Sequence, residues 1–199
     1  MSNNIQHPYS VPAHLKGQIQ EEFQGGKGKV LELFDTLDLV DFLKQFTQQI
    51  LPLESAKWFA LDCAKLVLYA FEKQYPSDKR VSNCIEVVES YLNGKSTLEE
   101  LSSAADAACD AAEAADADYF AAYDAAAAAY DAIDNPAFDI FTAAYYTVAV
   151  DFATAADSAY AAVDAAAAVD AAGVNAAYYA SKDEMQDFVK NWIDQYFNI

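Results

Sequence analysis

An all-α bundle of about six helices is predicted by three features of this sequence. Apolar residues recur at three-to-four spacing through the first half, the period of a helix with one buried face. The second half is built on alanine, the best helix former, which loses no side-chain entropy on ordering. No segment alternates apolar and polar residues in the way a half-buried strand does.

Residues 1 to about 28 read as an extended arm, because Pro8, Pro12 and the GGKGK run at 25–29 interrupt any helix. From 29 to 199 the chain reads as a single helical domain. A first amphipathic helix is expected over 30–51, with Leu33, Phe34, Leu37, Val40, Leu43, Phe46 and Ile50 on its apolar face and Pro52 at its end. A second, over 53–75, is apolar nearly all round and therefore central; Pro76 stops it. A third runs over 78–92 into Asn93-Gly94, a helix-stop pair. Ser96 and Glu99 fit a capping box that opens a fourth, long helix to about Asp134. Asn135-Pro136 then starts a fifth to about Ala180, and Ser181 with Glu184 caps a short last helix.

The charge is lopsided. The 199 residues carry 31 acids against 12 bases, a net −19. A chain so acidic repels nucleic acid and anionic lipid, so neither is expected as a direct partner. With 54% hydrophobic residues it is nevertheless no disordered acidic tail. Between Ser96 and Ser181 there are fifteen acids and no Lys or Arg, while ten of the twelve bases precede Ser96. Ion pairing within that segment is therefore excluded, although mixed charge is what stabilises ordinary helix surfaces.

At about 100° per residue, Asp106, Asp110, Glu113, Asp124 and Asp131 fall in a sector of roughly 60°, flanked by Asp116 and Asp134. The opposite side holds Ala104, Ala108, Ala111, Ala115, Ala122, Ala126, Ala129 and Ile133, a flat seam for close packing. On the fifth helix Asp157 and Asp164 share a face, whereas Asp139, Asp151 and Asp170 do not align with them. Two antiparallel helices of this length would carry about one charge per 4 Å of rod, about half the density of duplex DNA. The candidate partner-binding face is accordingly Asp106, Asp110, Glu113, Asp116, Asp124, Asp131, Asp134, Asp157, Asp164 and Asp170. A solvated surface that serves solubility alone is the plainer alternative.

Catalysis finds little footing. The two histidines, His7 and His14, lie in the arm, and no nucleophile has an evident base. No His/Cys spacing suggests a metal, and no cofactor is expected. GGKGK lacks the full phosphate-loop pattern and a preceding strand. Cys63, Cys84 and Cys109 are an odd set without tight spacing, which fits core thiols in a reducing cytoplasm. No secretory leader and no apolar run of about 18 residues is apparent.

One stretch carries a likeness. WFALDCAKLVLYAFEKQYPSDKRVSNCIEVVESYLNG, from residue 58, contains Ala60, Leu61, Asp62, Cys63, Ala64, Val67, Leu68, Phe71, Glu72, Tyr75, Pro76, Asp78, Arg80, Ile85, Glu86 and Gly94 in the order of a signature followed by an alanine-rich tract. In this it resembles the bacterial immunity protein family of Ala-rich helical proteins, over about 57–180. The resemblance implies a helical scaffold and toxin neutralisation. It carries over no catalytic residue. The alanine tract of such proteins typically bears Arg and His; here Asp164, Asp170 and Asn175 stand in those places.

The charge pattern leads to a first expectation: a non-enzymatic inhibitor whose acidic helical face mimics DNA and blocks a nucleic-acid-binding protein, as in phage-type anti-defence such as anti-CRISPR or anti-restriction action. The alternative is an immunity protein that binds a cognate toxin directly. A third reading is a structural helical oligomer, a homodimer packed through the alanine seam. In the first two the partner presents a basic surface.

Overall fold

The computed structural model describes residues 11–114 and 186–198. Within them the chain is helical and contains no strand. The α-helices are α1 (Lys27–Thr36), α2 (Leu39–Gln45), α3 (Leu53–Gln74), α4 (Arg80–Leu92) and α5 (Leu98–Ala114), with α6 helical over 186–196.

The single helix expected over 30–51 is in fact two. Leu37 adopts an extended backbone, and Asp38 caps α2 by accepting the Asp41 N–H at 3.0 Å. Thr36 assists the break by donating its hydroxyl to the Glu32 carbonyl at 2.8 Å. Short polar side chains of this kind compete with the helix ladder for its backbone groups. After α2 the chain widens into a π-helical turn, Phe46–Ile50, which buries Phe46, Thr47 and Ile50. Leu51 is then extended, as a residue preceding proline must be.

The central helix is α3. Trp58 through Cys63 and Ala64 form an unbroken buried run, as expected for a helix apolar on every side. Phe42, Phe46, Phe59 and Trp192 continue the core as an aromatic column: Phe42 stacks on Phe46 at 5.2 Å, Phe46 meets Phe59 edge-on at 5.3 Å, and Phe59 meets Trp192 at 5.1 Å. Cys63 and Cys84 are buried thiols.

Residues 11–26 hold no α-helix but lie against this core. Val11 and Leu15 are buried. Gly17, at φ +73°, donates to the Tyr196 carbonyl at 2.7 Å, and the Gln20 side chain donates to the Leu51 carbonyl at 2.8 Å.

The turn from α4 to α5 follows from its sequence. Gly94 sits at φ +70°, a left-handed position that only glycine takes without strain. There its N–H bonds the Tyr91 carbonyl at 2.8 Å, and the Lys95 N–H bonds the Ser90 carbonyl at 2.9 Å. This paired closure satisfies the last carbonyls of α4. The capping box lies one residue beyond the expected Ser96–Glu99. Thr97 Oγ1 accepts the Glu100 N–H at 3.2 Å, while Glu100 accepts the Thr97 N–H at 2.7 Å. Ser96 instead donates to the Ser90 hydroxyl at 2.6 Å. Thr97→Ala is therefore expected to lower stability by about 1 kcal/mol, and Ser96→Ala by less, in urea unfolding. Equal effects would place the cap elsewhere. The expected box at Ser181 and Glu184 lies outside the described residues.

Candidate partner-binding face and a buried carboxylate

Helix α5 sorts its residues as the periodicity predicts. Leu101, Ala104, Ala105, Ala108 and Ala111 are buried, while Glu99, Ser103, Asp106 and Asp110 are exposed. At about 100° per residue, Glu99, Asp106 and Asp110 fall within about 40° of one another, opposite the buried arc. The alanines do what small residues allow: they bring α5 onto α4, whose Val81, Cys84, Ile85 and Val88 are buried. Over these residues the seam is occupied within the chain itself.

Of the ten acids singled out from sequence, Asp106 and Asp110 lie on this exposed face. Glu113 falls on the last turn of the same helix. Asp116, Asp124, Asp131, Asp134, Asp157, Asp164 and Asp170 lie outside the described residues. Glu99 and Glu100, which precede the stripe predicted from periodicity, sit in the first turn of α5. The Thr97 backbone N–H and hydroxyl hold the Glu100 carboxyl below its ordinary value, so it stays ionised. Its charge also suits the positive end of the helix.

A shallow groove of about 430 Å³ runs between α4 and α5. Asn83 and Val87 line one side, and Glu99, Glu100, Ser103, Ala104 and Ala107 the other. Glu86 is exposed on α4 beside it.

Among the described residues, Arg80 on α4 feels the charge of the acidic face from outside its segment. Arg80 forks onto Asp78, with Nε at 3.0 Å from Oδ1 and Nη2 at 2.6 Å from Oδ2. These bonds to Asp78 chiefly raise the Arg80 pKa, and the negative charge of Asp110 adds to the effect. Further ion pairs among the described residues join Lys27 to Asp194, Lys29 to Glu32, Lys57 to Glu54, Lys65 to Asp62 and Glu89, and Lys79 to Glu72.

A second feature, absent from the sequence-based expectations, is a buried carboxylate. Asp62 is 2% exposed in the middle of α3. The Trp192 indole N–H donates to its Oδ2 at 3.0 Å. Lys65 Nζ stands 3.9 Å from its Oδ1, but only 2.7 Å from Glu89 Oε2 on α4. Burial pushes the Asp62 carboxyl up to about 7; the Lys65 charge and the Trp192 hydrogen bond draw it down, and Glu89 raises it further. In the sequence its signal is one acid within the run Trp58–Ala64, on a helix apolar nearly all round, which has little polar face for it to occupy. Trp192 is a core residue whose indole N–H also serves this carboxyl.

No helix among the described residues is long and apolar enough to cross a membrane. The family model described as "Imm-5 like putative immunity protein" matches residues 53–172. No curated protein and no solved structure matches the chain. The matched span starts at the first residue of α3 and takes in α4 and α5 whole, so both the groove and Asp62 lie inside it. It covers more than half of the sequence, and the chain therefore belongs to the Imm-5 like immunity protein family.

Proposed function

We propose that this protein is an immunity protein that neutralises a cognate toxin by direct, stoichiometric binding, and that the acidic α4–α5 face receives a basic surface of that toxin. The family match over α3–α5 is the observation that carries the reading. The chemistry agrees with it. Glu86, Glu99, Asp106 and Asp110 are exposed on two helices packed against each other, and a field of one sign steers an oppositely charged partner. Toxins that act on nucleic acid carry such basic surfaces, because phosphate binding requires them. The anti-defence reading gains nothing from the family match, and seven of the ten carboxylates chosen for it lie outside the described residues. The seam expected to join a homodimer is filled, over Ala104, Ala108 and Ala111, by the chain's own packing.

The test is co-expression with the product of a neighbouring toxin gene. The wild-type chain should protect the cell and bind the toxin in a complex that weakens steeply with salt. Glu99→Lys, Asp106→Lys and Asp110→Lys together should slow association by at least about tenfold and abolish protection. Lack of protection by the wild-type chain would overturn the immunity reading. Full protection by the triple variant would move the interface elsewhere on the molecule.

A further inference from the structure

We propose that Asp62, with Lys65 and Glu89, forms a proton-sensitive latch that sets how firmly α6 closes on the core. The proposal does not depend on the immunity reading. Three elements meet at this carboxyl. Helix α3 supplies Asp62 and Lys65, α4 supplies Glu89, and α6 supplies the Trp192 indole. These are the charged and polar groups that the described residues bring to it.

The geometry is a competition. One ammonium serves two carboxylates, and it sits closer to the exposed partner, at 2.7 Å, than to the buried one, at 3.9 Å. From the described residues an ionised Asp62 therefore has one indole N–H and a distant cation in place of water, a poor exchange for a buried charge. A protonated Asp62 loses that penalty. It can still accept the indole N–H through its carbonyl oxygen, and Lys65 is left wholly to Glu89.

Opening of α6 takes Trp192 away and returns the carboxyl to water. The closed state then holds the proton more tightly than the open one, so rising pH favours opening. Most other ties of α6 do not change over this range: Tyr196 bonds the Ser55 hydroxyl at 2.7 Å and the Gln18 carbonyl, and Val189 and Ile193 pack in the core. Lys27 pairs with Asp194 at 2.8 Å at the surface, where both partners are well exposed. Among the described residues, Asp62 is the buried group whose proton binding changes when α6 opens.

Amide hydrogen exchange of the full chain tests this, read over residues 186–198 and corrected for intrinsic rates. Protection of the α6 amides should fall about tenfold per unit as pH rises from about 5.5 to about 6.5, then level off above about 7.5. The α3 amides should stay better protected throughout, because a latch opens before the whole domain does. Asp62→Asn should remove the slope. A flat profile in the wild type, a slope that survives in Asp62→Asn, or identical protection of α6 and α3 would each overturn the latch. If Asp62→Asn does not fold, carbon NMR of the Asp62 carboxyl decides. A midpoint near neutrality supports the latch, and a midpoint in the ordinary carboxylate range removes it.

Discussion

Trp192→Ala is expected to lower the unfolding free energy by about 3–5 kcal/mol, as measured by urea denaturation followed by circular dichroism. The ring is fully buried. It stacks on Tyr196 at 4.8 Å and meets Phe46 and Phe59 edge-on at 5.8 and 5.1 Å, so truncation opens a cavity that three aromatic neighbours line. It also strips the carboxylate of Asp62 of its only indole donor. Trp192→Phe separates these two losses: it keeps most of the packing and deletes the N–H, at an expected cost of about 1–3 kcal/mol. Below about pH 6 that cost should shrink, because Asp62 can take up a proton and no longer needs the donor as a charged group does. A loss under 1 kcal/mol for Trp192→Ala would mean that α6 does not pack on α3 as described.

Asp62→Asn should be more stable than the parent protein above pH 7, with the gap closing as the pH falls. Asp62 titrates at about 7 in the folded state, against an ordinary value of 3.8. The folded chain therefore binds more protons than the unfolded chain between those values, and stability falls as pH rises through that window. Above about 7 the penalty is complete and constant. A difference of about 3 pH units, at about 1.4 kcal/mol each, sets it on the order of 4 kcal/mol. Asparagine keeps an oxygen for the Trp192 N–H and carries no charge, but its amide hydrogens also need partners, so the realised gain will be smaller. Urea titrations of both proteins at about pH 5, 6, 7 and 8 check the sign. Parallel stability profiles would show that Asp62 is ionised in the fold at an ordinary cost.

Much of the architecture could be read from the chain because it rests on local rules. The apolar run of α3 predicts a buried central helix, and Trp58 through Ala64 are buried. Asn93-Gly94 predicts the end of α4, and Gly94 adopts the left-handed backbone there. The small-residue seam of α5 predicts which side packs, and Ala104, Ala108 and Ala111 are buried while Asp106 and Asp110 face water. Where two local solutions competed, the sequence did not decide. Ser96-Thr97-Leu98-Glu99-Glu100 offers two overlapping capping boxes. The one at Thr97 forms because the turn after α4 already ties Ser96 to Ser90. Apolar spacing is continuous over 30–51, yet the helix breaks at Leu37, where Asp38 supplies a cap that periodicity does not register.

By itself the sequence determined the helical class, the central place of α3, the packing side of α5 and the excess of carboxylate along it. Periodicity and propensity act within a few residues, and those features need nothing more. Tertiary structure alone decided that Arg80 reaches the charge of Asp110, that residues 11–26 lie against the core, and that the Trp192 indole meets Asp62 130 positions away. Each of these is a contact between side chains far apart in the chain. Their energies depend on distance and on the exclusion of water, which exist only once the helices have packed.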